Sequence, residues 1–444
     1  MTAFDPTGQG AGIVHIGPGA FHRAHQAVLT EDAGALAGGD WGIVAIAPHS
    51  TDVIDALLAQ NGSYTLVTRG AAGTRYRKIK VHAGAVAASR SPEQALAVLT
   101  RPTTRIVSLT VTEKAYRADA AIIILLVQAL AKRRDAGHLP FTLLSCDNLT
   151  DNGAVLRAVM LKAARQHDAT LADWLAETGR FPSTMVDRIT PAATPALLAE
   201  VKQKTGWADQ MPVETEDFCQ WVIEDDFVDG RPDWDKAGAI FVHDVAPYER
   251  MKLRMLNGAH SMLAYAGHLA GLTYVRDVMQ NGTLGDKVAQ HMDAAAATLP
   301  TSDGLDTETY KSALLDRFRN PHIAHETYQI AMDGSQKMPQ RIFAPALDAA
   351  RSGAALDAFA LATALWAQYL GGESDTGLAY ALRDPREKDL TTLPRDPENR
   401  IDALFALPNL VPPELAQNNG FRDASVLALR EFAQHGVLGA LAKG

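Results

Sequence analysis

The alternation of short β-branched runs with helical stretches over the first half of the chain is the feature that most restricts its fold. Nine runs have the length and composition of strands: GIVHIG, GIVAIA, YTLVTR, YRKIKVH, RIVSLTV, FTLLSC, TMVDRI, QWVIED and AIFVHD. Strands that alternate with helices form a largely parallel sheet with helices on both faces. The first half is therefore predicted to be a doubly wound α/β domain.

The second half has a different pattern. Strand-like runs stop after about Asp244, and from Tyr248 onward apolar residues recur at helical spacing between proline and glycine breaks. A chain of 444 residues is long enough for two domains with separate cores. We therefore predict an α/β domain over 1–245 and an all-helical domain over 246–444.

Charge and hydropathy exclude two classes of partner. The chain has 51 acidic and 42 basic side chains, a formal net charge of -9, without long runs of one sign, which argues against a nucleic-acid surface. The longest apolar run, AAIIILLVQALA from Ala120, is shorter than the ~20 residues that cross a bilayer, and MTAFDPTGQGAG does not resemble a signal sequence. We expect a cytoplasmic protein with neither a nucleic-acid nor a membrane partner.

Cysteine usage argues against a metal centre. The two cysteines, Cys146 and Cys219, form no CxxC motif and belong to no Cys/His cluster at zinc-ligand spacing. The sequence therefore predicts no metal site and no disulfide. Cys146 is expected to be a small buried residue rather than a nucleophile.

A glycine turn follows the first predicted strand. Gly17 and Gly19 allow a tight turn and close approach to a pyrophosphate, and a helix is predicted to begin near Arg23. His22 stands where the usual G-x-G-x-x-G motif has its third glycine, so an ordinary strand-to-helix turn remains an alternative. The loop after the second strand has no acid before Asp52 and no cation, which favours NAD without excluding NADP.

Polar residues interrupt an apolar helical segment, KLRMLNGAHS. On an α-helix, at ~100° per residue, Lys252, Asn257, His260 and Glu249 fall within an arc of roughly 140°. They could face one cleft. The alternative is a helix whose lysine reaches solvent and whose histidine is a satisfied core residue.

Six motifs occur in the order and approximate spacing of a known family. They are GPGAFHRAHQ, SLTVTEKAYR, LLSCDNLTDNG, MVDRITP, QWVIEDDF and YERMKLRMLNGAHS, and DGSQKMPQRI extends the match. The chain thereby resembles the polyol-specific long-chain dehydrogenases, the mannitol 2-dehydrogenase and fructuronate reductase family. This resemblance implies a Rossmann-type domain followed by a helical catalytic domain, zinc-independent hydride transfer with NAD(P), and a monomer or weak homo-oligomer.

The resemblance also implies roles for catalytic residues. Lys252 matches the family's general base, and Asn148 and Asn257 match two amides that hold the substrate oxygen as negative charge develops. His260 matches a substrate-binding histidine, and Glu249 matches a glutamate beside the lysine.

Further positions match the substrate and cofactor sites. Asp187 and Lys337 match substrate contacts, and Arg341 and Arg188 could meet a terminal carboxylate. Asp187 follows a strand-like run and is expected at the carboxyl edge of the sheet. The residues expected at the cofactor are Gly17, Gly19, Ala20, Phe21, His22, Arg23, Ser50, Thr112, Glu113 and Asn148, with Lys114 as a neighbour.

The chemistry explains why these residue types are needed. A secondary alcohol yields hydride only as its hydroxyl loses a proton, so a base must lie within hydrogen-bond reach. Lysine has an ordinary pKa of about 10.4, and we expect the apolar surroundings of Lys252 to lower that pKa. Uncharged amide donors suit the developing alkoxide because a second cation would compete for it.

The substrate is where the sequence departs from the family. Gln329 replaces a family arginine a few residues before DGS, so we favour a neutral polyol and its ketose over a hexuronate or aldonate. A protein that binds the dinucleotide without turnover is an alternative of another class, but it would not need Lys252, Asn148 and Asn257. A metal-dependent alcohol dehydrogenase is disfavoured because metal ligands are lacking.

Overall fold

The computed structural model describes residues 10–301 and 304–443. The chain divides into two compact units, Met1–Ala246 and Pro247–Gly444. Among the described residues, every named strand lies in the first unit, and the second unit is helical. The predicted fold class, a mostly parallel α/β half followed by an α-helical half, is confirmed.

The first unit is built on a five-stranded parallel sheet. The strands of the unit are β1 Ile13–Ile16, β2 Ile43–Ala47, β3 Tyr64–Gly70, β4 Gly73–Ile79, β5 His82–Ala87, β6 Ile106–Leu109, β7 Thr142–Ser145, β8 Thr184–Asp187, β9 Val213–Glu216, β10 Gln220–Glu224 and β11 Ile240–Val242. The main sheet has the order β5-β2-β1-β6-β7. The direction of winding therefore reverses between β1 and β6, which is where open α/β sheets bind ligands.

The first unit also contains two smaller sheets. In the order β4-β3-β9, β3 pairs antiparallel with β4 and parallel with β9. In the order β11-β10-β8, β10 pairs antiparallel with β8 and parallel with β11. The run predicted as one strand, YRKIKVH, is divided between β4 and β5, and β9 was not predicted.

Alternate residues of the main sheet face two separate cores. Ile13, Ile43 and Ile106 pack in one core together with Trp221 and Trp234. Their chain neighbours, beginning with Val14, Val44 and Val107, pack on the opposite face against helical residues such as Leu126 and Met160. Burial on both faces explains why these strands are continuous apolar runs rather than alternating ones.

Eight α-helices accompany the strands in the described part of this unit. They are α1 Ala20–Ala24, α2 Gln26–Ala37, α3 Asp52–Ala59, α4 Pro92–Leu99, α5 Ala121–Asp135, α6 Asn152–His167, α7 Ala169–Thr178 and α8 Pro195–Thr205. Their ends follow local sequence signals. The Asp168 carboxylate caps α7, and α8 begins with the Thr194 hydroxyl as cap and ends at the left-handed Gly206.

Helices make up the second unit. They are α9 Ala246–Met251, α10 Gly258–Leu269, α11 Val275–Gln280, α12 Gly282–Ala296, α13 Thr307–Phe318, α14 Thr327–Ala331, α15 Gly334–Met338, α16 Ala344–Ser352, α17 Asp357–Tyr369, α18 Glu387–Leu390, α19 Pro397–Phe405, α20 Pro413–Ala416 and α21 Asn419–Leu441. Two π-helical segments, Lys252–Asn257 and Pro339–Phe343, join α9 to α10 and α15 to α16.

Helix α10 lies at the centre of the second unit. All of its residues except His268 are buried, which is typical of a helix that is surrounded by others. Within the parts of the chain that the structure describes, no helix combines the length and apolarity that a bilayer crossing would require.

Candidate active site

The glycine turn after β1 has a backbone that only glycine can adopt at its first position. Gly17 has φ +89°, and a Cβ added there would lie 2.1 Å from the Thr110 carbonyl oxygen. The Gly17 N–H donates to the Ile46 carbonyl at 2.9 Å, and the Gly19 N–H folds back to the Gly17 carbonyl at 2.7 Å. The turn is thus held at the reversal point between β1 and β6.

The second glycine leaves open space. Gly19 is exposed, and a Cβ added there would meet only the Gly17 carbonyl oxygen, at 3.9 Å. Helix α1 begins at the next residue, and helix α2 follows after a break at His25. Exposed space beside a turn that leads into a helix fits the phosphates of a dinucleotide. The helix begins earlier than the predicted start near Arg23.

Buried imidazoles support the turn from beneath. The His22 ring stacks on His15 with centroids 3.5 Å apart, and His22 Nε2 lies 3.2 Å from His82 Nε2. Burial lowers the pKa of both His15 and His82 to about 3 and places the pKa of His22 well below its usual range. The three rings are therefore uncharged. His22 can replace the third glycine because its ring points into the protein.

Arg23 also serves the fold of the turn. Its guanidinium is buried and donates to the Pro18 carbonyl at 3.3 Å and to the Met211 carbonyl at 2.5 Å. The assignment of His22 and Arg23 to the cofactor site stays a prediction, and the structure directs both side chains into the protein. Both residues can act on a ligand only through their backbone or by holding the turn.

The remaining predicted cofactor residues lie at the carboxyl ends of neighbouring strands. Ser50 follows β2, Thr112 and Glu113 follow β6, and Asn148 follows β7, and all four residues are exposed. Because β2 and β6 neighbour β1, β7 neighbours β6, and all four strands are parallel, the four residues share one edge with the glycine turn. Ala20 and Phe21 begin α1 and are partly buried.

Asp187 lies in a different sheet from the one expected, and Arg188 directly follows the strand that carries it. Asp187 is the buried last residue of β8 and pairs with Gln220 of β10, so it is not at the edge of the main parallel sheet. Arg188 donates to the carbonyls of Ala24 and Glu216, the latter at 3.0 Å. These bonds hold backbone together, and the expectation that Arg188 could meet a substrate carboxylate stays a prediction.

In the second unit, Lys252 and Asn257 are the first and last residues of a π-helix. Five residues of an α-helix would separate their directions by roughly 140°. The i→i+5 bonding of a π-helix instead brings residues five apart onto one side, one turn above the other. Both residues are partly exposed, whereas Met255 and Leu256 are buried. The α-helical geometry predicted for this segment is thus corrected, and the two residues lie closer in direction than it implied.

The second π-helical segment contacts the first. Arg341 Nη1 donates to the Asn257 carbonyl at 3.3 Å and to Ser261 Oγ at 3.2 Å. A Cβ added at Gly258 would lie 2.9 Å from His291 Nε2 and 3.1 Å from the Arg341 carbonyl oxygen. Glycine at position 258 therefore permits the close approach that places Arg341 beside Asn257.

His260 is buried on α10 among aromatic and basic groups. Its ring lies 4.5 Å from the Phe318 ring and 5.3 Å from the His325 ring, measured between centroids. Burial, and then the nearby His325, Arg317 and Arg341, hold the pKa of His260 well below its usual range. The imidazole is therefore neutral and able to donate or accept a hydrogen bond.

Lys337 and Arg341 are partly buried cations on consecutive helical turns. Lys337 Nζ donates to the carbonyls of Met332 at 2.5 Å and Ile330 at 3.2 Å, and it lies 4.0 Å from Asp333. Burial lowers the pKa of both cations. In the described part of the chain, no carboxylate forms an ion pair with Arg341. Gln329 is exposed on α14, and Glu249 is partly buried on α9, three residues before Lys252.

Sequence reasoning missed two sets of residues near the predicted site. One set is His15 and His82, which lie in apolar strand-like runs and so gave no separate signal in the sequence. The other is Asp147 with Tyr116, whose hydroxyl donates to Asp147 Oδ2 at 2.6 Å. The only signal for Asp147 was its position beside Asn148. Cys146 is buried as expected, and across residues 10–301 and 304–443 no group of three His, Cys, Asp or Glu residues could hold a metal ion.

Strand order, glycine turn and the helical unit that follows them define the class, an α/β unit of the dinucleotide-binding type joined to an α-helical unit. The model of the mannitol dehydrogenase Rossmann domain matches residues 11–236, and the model of the mannitol dehydrogenase C-terminal domain matches residues 244–433. The chain belongs to the mannitol dehydrogenase family of oxidoreductases.

Relatives with names and structures support this membership. The D-mannonate oxidoreductase of Escherichia coli (strain K12) is 40% identical over 458 residues, covering 96% of this chain and 93% of that protein. The crystal structure of a D-sorbitol dehydrogenase in substrate-free form has a TM-score of 0.90 at 30% identity, covering 99% of this chain and 96% of that one. The Pseudomonas fluorescens mannitol 2-dehydrogenase, in a ternary complex with NAD and D-mannitol, has a TM-score of 0.78 at 34% identity, covering 99% and 95%.

Proposed function

We propose that the chain catalyses reversible oxidation of a secondary alcohol in an open-chain polyol or sugar acid, with a nicotinamide cofactor of the NAD type. The observation that carries this proposal is the π-helical turn, which brings an amine and an amide, Lys252 and Asn257, to one side of a segment that is otherwise mostly buried. A proton acceptor next to a neutral donor is what the oxygen of a reacting alcohol requires.

Lys252 is the proposed general base. It takes the proton of the substrate hydroxyl during oxidation and returns it during reduction. Asn257 and Asn148 are the proposed amide donors to the oxygen on which negative charge develops. Neutral His260 is proposed to orient a neighbouring hydroxyl, and Glu249, three residues before Lys252, is proposed to pass its proton to solvent. None of these steps requires a metal ion.

The first unit is proposed to hold the cofactor. The open space beside Gly19 fits its phosphates, and Thr112, Glu113 and Asn148 lie at the same edge of the sheet. When bound, the nicotinamide accepts or returns the hydride. The loop from Pro48 to Thr51 has neither lysine nor arginine, which supports NAD over NADP because a 2'-phosphate is usually met by a cation.

For the substrate, Arg341 favours a sugar acid over the neutral polyol that Gln329 indicated. Its guanidinium is partly buried and donates only to neutral acceptors, so a bound carboxylate would be its first ionic partner. The likeness to a D-mannonate oxidoreductase points the same way. A neutral polyol remains the second candidate, supported by the likeness to a mannitol 2-dehydrogenase that was solved with D-mannitol.

A substrate and cofactor matrix tests the proposal. Purified protein with NADH or NADPH is supplied with fructuronate, tagaturonate, fructose and related ketoses, and loss of reduced-nicotinamide absorbance is recorded. We expect turnover with NADH and higher kcat/KM for a keto acid than for its neutral counterpart. Tight NADH binding without turnover on any substrate would favour the non-catalytic alternative. Reversible loss of activity on dialysis against EDTA, restored by zinc, would contradict the metal-independent chemistry.

A further inference from the structure

A partly buried carboxylate connects two turns at the edge of the main sheet. Asp147 follows β7 and immediately precedes Asn148, while Tyr116 follows a short 3-10 turn, Glu113–Ala115, after β6. Neither residue belongs to the roles assigned above. Both lie between the turn that carries Thr112 and Glu113 and the turn that carries Asn148.

The contacts of Asp147 run to both strands. Its Oδ1 accepts the Val111 N–H at 2.8 Å, and its Oδ2 accepts the Tyr116 hydroxyl at 2.6 Å. The Tyr116 oxygen also lies 2.6 Å from Ser145 Oγ at the end of β7. One carboxylate therefore binds the backbone and a side chain of the β6 turn while its own backbone belongs to the β7 turn.

The same turn is fixed from its other side. Asn152 Nδ2 donates to the Asp147 carbonyl and to the Thr184 carbonyl, both at 2.9 Å. The Thr184 hydroxyl donates to the Ser145 carbonyl at 2.6 Å. The segment from Ser145 to Asp147 is thus held between β6 on one side and β8 on the other, and Asn148 is the first exposed residue beyond it.

Desolvating the Asp147 carboxylate costs free energy, which argues that its contacts with Tyr116 and Val111 have a function. Burial raises the pKa of Asp147 to about 7, and the bonds from Tyr116 and Val111 offset only part of that rise. An apolar side chain at this position would avoid this cost. What an apolar side chain could not do is accept two donors from the neighbouring turn at once.

We propose that Asp147 and Tyr116 are positioning residues that fix the Asn148 amide and the Thr112–Glu113 turn relative to each other, so that Asn148 meets the substrate oxygen already oriented. This inference rests on the role proposed for Asn148. Pre-set donors stabilise developing charge without reorganisation during the reaction, so a loosened turn should slow the chemical step rather than weaken binding of the cofactor.

A double-mutant cycle tests the inference. Asn148→Ala should lower kcat by about 10²-fold, and Asp147→Asn and Tyr116→Phe each by roughly 10-fold, with the NADH dissociation constant changed less than about 3-fold. Because Asp147 acts through Asn148, the double variant Asp147→Asn/Asn148→Ala should be no slower than Asn148→Ala alone. Losses that multiply in the double variant would overturn the inference.

A measurement that needs no turnover separates this inference from the proposed function. Hydrogen exchange should speed up in peptides covering residues 110–116 and 145–150 in Asp147→Asn and Tyr116→Phe. It should stay unchanged in Tyr380→Phe, which removes a hydroxyl bond to the Tyr369 carbonyl in the second unit. Unchanged exchange in the first two variants would overturn the inference. Wild-type protein that is inactive on every substrate, with exchange as expected, would overturn the proposed function alone.

Discussion

Basic side chains near the glycine turn of the first unit differ in their environment from those near the two π-helical segments of the second unit. Near the glycine turn, burial keeps three imidazoles neutral, and the Arg23 guanidinium donates hydrogen bonds to two backbone carbonyls of the protein. Beside the π-helices, Lys337 and Arg341 donate to carbonyl and hydroxyl oxygens, and Lys337 also lies 4.0 Å from the Asp333 carboxylate. A backbone turn suits the invariant phosphates of a cofactor, whereas a guanidinium that donates only to neutral acceptors, as that of Arg341 does, suits a group that differs from one substrate to another.

The largest expected effect concerns the amine on the π-helix. Lys252→Ala should reduce kcat by ~10²–10⁴-fold, because the proton of the substrate hydroxyl then lacks its acceptor. NADH affinity, measured by fluorescence titration, should remain nearly unchanged, since the glycine turn is untouched. Lys388→Ala, at an exposed lysine of α18, is the matched control and should match the wild type. Near-normal turnover in Lys252→Ala would mean that another group takes the proton.

The next effect tests whether the second unit selects substrates by charge. Arg341→Met should raise KM for a sugar acid by roughly 10–100-fold, the usual cost of losing a charge-assisted hydrogen bond. It should change KM for a neutral ketose much less. Arg351→Met serves as control because Arg351 pairs with Glu414 on the surface. Equal losses on acid and neutral substrates would assign Arg341 to holding the two π-helical segments together instead.

A smaller effect tests the neutral imidazoles under the glycine turn. Unfolded histidine has a pKa of about 6.5, whereas His15 and His82 have a pKa of about 3 in the folded chain. As pH falls below about 6.5, these histidines bind protons in the unfolded state but not in the native state, so the free energy of unfolding decreases toward acid pH. His82→Gln removes one such group, and its melting temperature between pH 7.5 and 5 should fall less steeply than that of the wild type. Parallel curves would show that these rings do not set the acid limit.

The smallest effect concerns the position that departs from the family. Gln329 is exposed on α14, so Gln329→Arg should change KM for both acid and neutral substrates by less than about 3-fold, as is usual for exposed charges. Steady-state kinetics on the same substrate pair would measure this change. A large gain with a neutral polyol would show that position 329 approaches the substrate, and that the sequence-based preference was correct.

Much of the fold could be predicted because buried strands and helices have recognisable patterns of apolar residues in the sequence. Strands β1, β2, β6 and β7 are apolar on both faces and were all predicted, whereas β9, with two glutamates among four residues, was not. Local periodicity also did not reveal the π-helix at Lys252–Asn257, where Arg341, 84 residues after Asn257, donates to the Asn257 carbonyl. His22, Arg23 and Arg188 were assigned to ligands because sequence gives residue types but no side-chain direction. The roles of Lys252, Asn148, Asn257 and His260 remain predictions.

The bond from Arg23 to the Met211 carbonyl has a consequence for the order in which the protein matures. All five strands of the main sheet have been synthesised by Ser145, but the carbonyl that holds Arg23 appears 66 residues later, just before β9 joins β3 at Val213. A nascent chain can therefore contain all five strands of the main sheet before the hydrogen bond from Arg23 to the Met211 carbonyl can form. We therefore expect the nascent chain to bind a dinucleotide only late in translation, after the segment around Met211 has come into contact with Arg23 of α1.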